Sequence, residues 1–202
     1  MQLYTDGGEY IEALRLAENI LAEFPEQSEQ EGIHKQYSML NQLASGEDER
    51  IVKKRTSFEN NGGLTSRKGR IEGTELASML WKNSGYQSEA VSLVTKLLRV
   101  QSSKENLSAE CSYAASNQVI LAQSYRNNGD NKNAADAFLT AAQYAKMADD
   151  SSLACRCLYG AVEAFDSEGL TGDTREAYEL MKQLYPDDEY TKLAQHIVEG
   201  GN

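Results

Sequence analysis

Proline is almost absent from this chain, with two among 202 residues, and aromatic residues make up only 8%. So little proline leaves long helices uninterrupted, and no alternating run bounded by turn residues demands a strand. Three cysteines (Cys111, Cys155 and Cys157) are too few for a disulfide framework, and their spacing fits no zinc site. They read as small apolar residues between packed helices, and a reducing compartment follows as the expectation. The two histidines, His34 and His196, stand apart from any ligand set or triad. Asn61 to Gly63 and Lys68-Gly69 contain glycine without the Lys-Ser/Thr ending of a phosphate loop. No enzyme activity, cofactor or metal is therefore expected. Nor does any apolar run reach the roughly 18 residues of a membrane span.

The chain does have alanine, 40% hydrophobic residues and a net charge of −11. That charge argues against nucleic acid as a partner, because phosphate neutralisation by Lys and Arg dominates such affinity. One segment opposes it. Arg50, Lys53, Lys54, Arg55, Arg67, Lys68 and Arg70 face a single acid, Glu59, between Arg50 and Arg70. Residues 59–73, rich in Asn, Gly, Ser and Arg, read as a flexible basic loop, simply solvated. The competing reading makes Lys53, Lys54, Arg55, Arg67, Lys68 and Arg70 a contact for an anionic partner, a phosphorylated segment or a membrane surface.

A pattern recurs along the chain, clearest where Leu121, Ala122 and Tyr125 lead through Gly129-Asp130 to Ala134, Phe138 and Ala141. Its physical content is a helix, a turn and a second antiparallel helix. Glycine makes the turn, Ala134 sits at the helix crossing, and the large residues fill the space between. Ala142 falls nearer the outer face. The same template fits Tyr4, Gly8, Ala13, Ala17, Ile20 and Pro25, and again Trp81, Gly85, Ala90, Val94 and Leu97. A further match runs through Phe165, Gly169, Thr174, Tyr178, Met181 and Pro186, with Ala177 offering a rival register three residues on. The interval from Gly8 to Gly85 is about twice the later ones. It predicts a hidden unit around Gly46, with Ile33, Tyr37, Leu40 and Leu43 before it and Ile51, Val52, Arg55 and Phe58 after.

These residues resemble the tetratricopeptide repeat, here with divergent units of about 38–44 residues against the family's 34. The resemblance implies an all-α fold: a right-handed superhelical array of antiparallel helix hairpins, an α-solenoid of about five repeats, the first incomplete. It would form a single domain with units near 1–27, 28–60, 74–104, 109–148 and 152–187, closed by a capping helix at 188–199. Tyr4 falls at the end of a first helix, so a fragment or mature form of a longer protein is expected, which leaves open that a targeting segment was removed. Without a signal peptide in Met1-Gln2-Leu3-Tyr4, the expected location is cytoplasmic.

The resemblance further implies a non-catalytic scaffold or adaptor that binds a peptide or partner protein in a concave groove lined by the first helix of each hairpin. Carried onto this chain, the groove positions are Glu75, Met79, Lys82 and Asn83, then Val119, Gln123, Arg126 and Asn127, then Arg156, Tyr159, Glu163 and Asp166. Glu75 and Met79 occupy two places of the family's carboxylate clamp, so chaperone-tail recognition is not expected. Homo-oligomerisation would use the terminal helices. The alternative reading is a regulatory domain of a larger protein that senses a ligand or peptide.

Overall fold

Small residues placed where two helices cross, and in the later part of the chain like turns at Gly129, Asp149 and Gly169, organise the fold. The computed structural model describes residues 10–24, 32–44, 48–103 and 107–200. Among them are ten α-helices and no strand, and helices next to each other in sequence pack together. Gly8 and Gly46 of the repeat pattern lie outside the described residues. The chain divides into two compact units, residues 1–72 and 73–202. No helix among the described residues is long and apolar enough to cross a membrane.

The first unit contains α1 (Tyr10–Glu23), α2 (Ile33–Ala44), α3 (Glu49–Asn60) and the first turns of α4 (Arg67–Trp81). Ala13, Ala17, Ile33 and Leu40 form the α1–α2 core, and Tyr37 Oη donates to Glu18 Oε1 at 3.2 Å. Asp48 caps α3, accepting from the Arg50 backbone N–H at 2.9 Å and pairing with its guanidinium at 2.7 Å. Those hydrogen bonds from Arg50 hold the Asp48 carboxyl down at about 2.

Residues 59–73 are for the most part helix ends joined by a turn rather than a loop, which corrects that part of the expectation from composition. α3 runs to Asn60, a tight turn follows, and α4 begins at Arg67. Gly62 and Gly63 adopt positive φ (88° and 54°), reversing the chain so that the Gly63 N–H reaches the Phe58 carbonyl at 2.9 Å. Ser66 caps α4 by accepting from the Gly69 N–H at 2.8 Å, while its hydroxyl donates to the Asn61 carbonyl. A Cβ on Gly69 would lie 2.1 Å from the Gly63 carbonyl oxygen, so α4 starts directly against the turn.

The second unit continues α4 through a short 3-10 turn, Ser84–Tyr86, into α5 (Gln87–Gln101) and α6 (Leu107–Asn127). Then come α7 (Asn131–Met147), α8 (Ser151–Ser167), α9 (Thr171–Leu184) and α10 (Glu189–Gly200). Three turns of one design join α6 to α9. Gly129, Asp149 and Gly169 each take positive φ, and the next residue's N–H returns to Tyr125, Ala145 and Phe165. Asp130 and Asp150 then cap α7 and α8. Gly85 matches the repeat pattern by position only: its φ is not positive, and Asn83 shapes the turn by accepting from its N–H.

α7 packs on both α6 and α8, so Ala134, Ala135, Ala137, Phe138, Ala141, Ala142 and Ala145 are all buried. α8 is enclosed similarly by α7, α9 and α10, and Gly160 lets the Phe138 ring press against its backbone. Thr174 and Ala177, the rival registers, are both buried, because three residues apart they share one helical stripe with Tyr178 and Met181. Thr191 and Ala194 of α10 cover the end of this core. Nearer the start of this unit, a buried polar cluster of Thr74, Gln101 and Asn117 links three helices. Asn117 Nδ2 donates to Thr74 Oγ1 at 3.0 Å and Gln101 Oε1 at 2.8 Å, tying α4, α5 and α6.

Candidate binding surfaces

Two surfaces of the second unit gather side chains suited to binding. The first lies where α6, α8 and α10 follow one another. Arg126, near the end of α6, reaches Glu163 of α8, with Nη1 3.2 Å from Oε2. Its guanidinium carbon also stands 5.8 Å from the centroid of the Phe138 ring. One turn back along α8, Tyr159 lies beside Glu163 and stacks obliquely on Tyr190 of α10, the ring centroids 5.4 Å apart. Burial first, then the neighbouring Glu163 carboxylate, raise the Tyr159 phenol above its ordinary value. It therefore stays a donor at neutral pH.

Arg126, Tyr159 and Glu163 are thus three groove residues expected from sequence that the fold brings together. Tyr190 completes the cluster. It stands in the apolar stripe of α10, where nothing but three-dimensional packing assigns it to this surface. Gln123 is half-buried on the same helix as Arg126, and Val119 packs into the core. Arg156 and Asp166 of α8 are exposed. On α4, Glu75 and Lys82 are exposed and Met79 half-buried, while Asn83 is occupied in its own turn. Asn127 instead borders a small pocket of about 330 Å³ with Trp81, Gln87 and Ser124.

The basic set of the first unit is largely engaged within the fold. Arg70 is buried and donates from Nη1 to the Leu64 carbonyl at 3.1 Å, which removes it from any anion contact. Lys54 pairs with Glu72 at 2.6 Å, a bond that lowers the Glu72 carboxyl below its usual range, and Lys53 pairs with Glu49 at 2.5 Å. Arg55 is half-buried, and Arg67 and Lys68 are exposed on the first turn of α4.

The second surface was not legible in the sequence. α7 and α9 both flank α8, and between them opens a groove of about 900 Å³. Its floor is Ala142, Ala154, Leu158 and Ala177, all buried; its walls carry Leu139 and Leu180. Leu180 and Leu184 are 40% and 36% exposed there, although both belong to the α9 amphipathic helix. Their sequence positions look like ordinary helix surface, and only the spacing of α7 from α9 turns them into groove lining.

Among the described residues, no group of three or more His, Cys, Asp or Glu side chains is placed to hold a metal ion. Cys155 and Cys157 are buried, and burial raises their thiols to about 11 and about 12. Comparison with protein-family models, with curated proteins and with solved structures finds no match for this chain.

Proposed function

We propose that this chain is a non-catalytic interaction module: a right-handed array of helix hairpins of the tetratricopeptide kind, which holds a peptide of a partner protein along the face lined by the first helices. The observation that carries the reading is the cluster of Arg126, Tyr159, Glu163 and Tyr190, drawn from α6, α8 and α10. Repeated turns at Gly129 and Gly169, each followed by a buried small or β-branched residue at Ala134 or Thr174, support the repeat itself.

Chemically, the two tyrosines offer a half-buried apolar platform with polar tips, the type of anchor that dominates protein interfaces. The Arg126–Glu163 pair beside it is half-exposed, so its attraction is screened and it exchanges readily with an incoming charge. A ligand carboxylate would take Arg126 from Glu163 while an adjacent apolar residue settled on Tyr159 and Tyr190. The ligand class is thus a peptide pairing an acidic group with a neighbouring aromatic or aliphatic side chain.

The test is a displayed library of random peptides selected on the folded chain. Peptides of that pattern should be enriched, and their binding should weaken about tenfold in Tyr159→Ala or Arg126→Glu, the loss expected for a central anchor. Enriched peptides indifferent to both substitutions would overturn the reading.

A further inference from the structure

We infer that the groove between α7 and α9 is a second docking site, for a short amphipathic helix of a partner protein that carries lysine or arginine on one flank. It faces away from the Arg126–Tyr190 cluster in composition and in its elements, since its walls are second helices of hairpins and its floor is the opposite side of α8.

The geometry sets the guest's shape. From Asp173 to Leu184 the α9 wall is about 16 Å long, at about 1.5 Å of rise per residue, which matches about three turns of helix. The floor is alanine-rich, at Ala142, Ala154 and Ala177, so large guest side chains have room to descend where the protein's own are small. Leu180 and Leu184 supply apolar contact on the wall. Large side chains repeating at helical spacing fit such a trough, which is the helix-in-groove mode of recognition.

Charge selects among occupants. Asp173 and Glu176 line the α9 wall, exposed and without an ion-pair partner among the described residues, whereas Glu179 beside them is answered by Lys182 at 3.8 Å. Lys146 lines the groove from α7, so the two unanswered carboxylates favour basic residues only on the guest's flank beside α9. A second copy of this chain is disfavoured, because each copy brings a net charge of −11 to the encounter. The groove's small size places the contact among transient ones.

The experiment uses the full chain and two fluorescent helical peptides of about 14 residues. Both carry leucine at i, i+4, i+7 and i+11, one with lysines and the other with glutamates on the flank. Anisotropy titration should show the lysine peptide binding at least about tenfold more tightly, with affinity falling as salt is raised. Leu180→Glu and, independently, Leu184→Glu should each weaken it about tenfold, circular dichroism confirming the fold; both side chains are already part-exposed. Asp173→Lys combined with Glu176→Lys should reverse the preference between the peptides.

Equal binding of the two peptides, or indifference to both leucine substitutions, overturns the proposal. So does loss of binding in Tyr159→Ala alone, which would place the peptide on the other surface and leave the preceding functional reading standing. Self-association in sedimentation velocity that Leu180→Glu abolishes would make a second copy the occupant, and overturns it equally.

Discussion

Gly69 and Gly63 approach so closely that a single methyl group at position 69 would fall 2.1 Å from the Gly63 carbonyl oxygen and 2.6 Å from its nitrogen. Both obstacles are backbone, and they cannot rotate away. Gly69→Ala is therefore expected to destabilise the protein by about 3 kcal/mol or more, at the upper end of overpacking costs. Gly172→Ala is the control. It too lies near a helix start, but its Cβ would meet nothing within 4 Å, and alanine there should add up to about 1 kcal/mol. Urea denaturation of the two variants gives the comparison.

Asn117 should behave as the keystone of the α4–α5–α6 packing. Removing its amide in Asn117→Ala takes away the donor to both Thr74 Oγ1 and Gln101 Oε1, in a site where all three residues are buried. The cost is expected at about 1 to 3 kcal/mol, the desolvation penalty of stranded polar groups. Thermal unfolding would report it. A variant as stable as the parent would mean that the network contributes nothing net.

Ala134 and Ala142 share a helix but not a fate. Ala134 is wholly buried at the α6–α7 crossing, and leucine there is expected to cost about 1 to 3 kcal/mol. Ala142 is nearly as buried, yet it floors the α7–α9 groove, so Ala142→Leu can extend into open space and should cost less. Equal losses in denaturation would contradict this register.

The cysteines give a pH dependence. Burial raises the folded-state thiols of Cys155 and Cys157 to about 11 and about 12, above the roughly 8.5 of an exposed thiol in the unfolded chain. A raised pKa stabilises the fold fully below the unfolded value and is lost as pH climbs toward the folded one. Their contribution should thus be flat below about pH 8 and decline between about pH 9 and 12. In native protein at pH 8 both should resist iodoacetamide, reacting only after denaturant is added; rapid native labelling would contradict the burial.

The α6–α7 hairpin was legible because its signals are local. Tyr125, Gly129, Ala134 and Phe138 lie within one helix-turn-helix, and each residue type is demanded by its own backbone or crossing. Residues 59–73 misread for the opposite reason. Gly62, Gly63, Ser66 and Gly69 resemble loop composition, but here they build a tight turn and an N-cap whose fit depends on two backbones touching. Arg70 followed the same error, since a basic residue next to glycine looks solvated until its helix places it against the Leu64 carbonyl. Of the expected groove, Arg126, Tyr159 and Glu163 converged, while Asn83 and Asn127 went to other local roles.

What the sequence determined by itself is the helical character of the chain and the small-residue crossings of its second unit. Scarce proline, alanine at helical spacing and glycine at turns act through near neighbours, whose energies do not wait on the rest of the fold. Tertiary structure alone decided that Tyr190 would meet Tyr159, that Arg126 would be answered by Glu163, and that Leu180 and Leu184 would line a groove. Those relations depend on where separate helices come to rest, set by many weak contacts summed across the packed core, and no one stretch of sequence contains them.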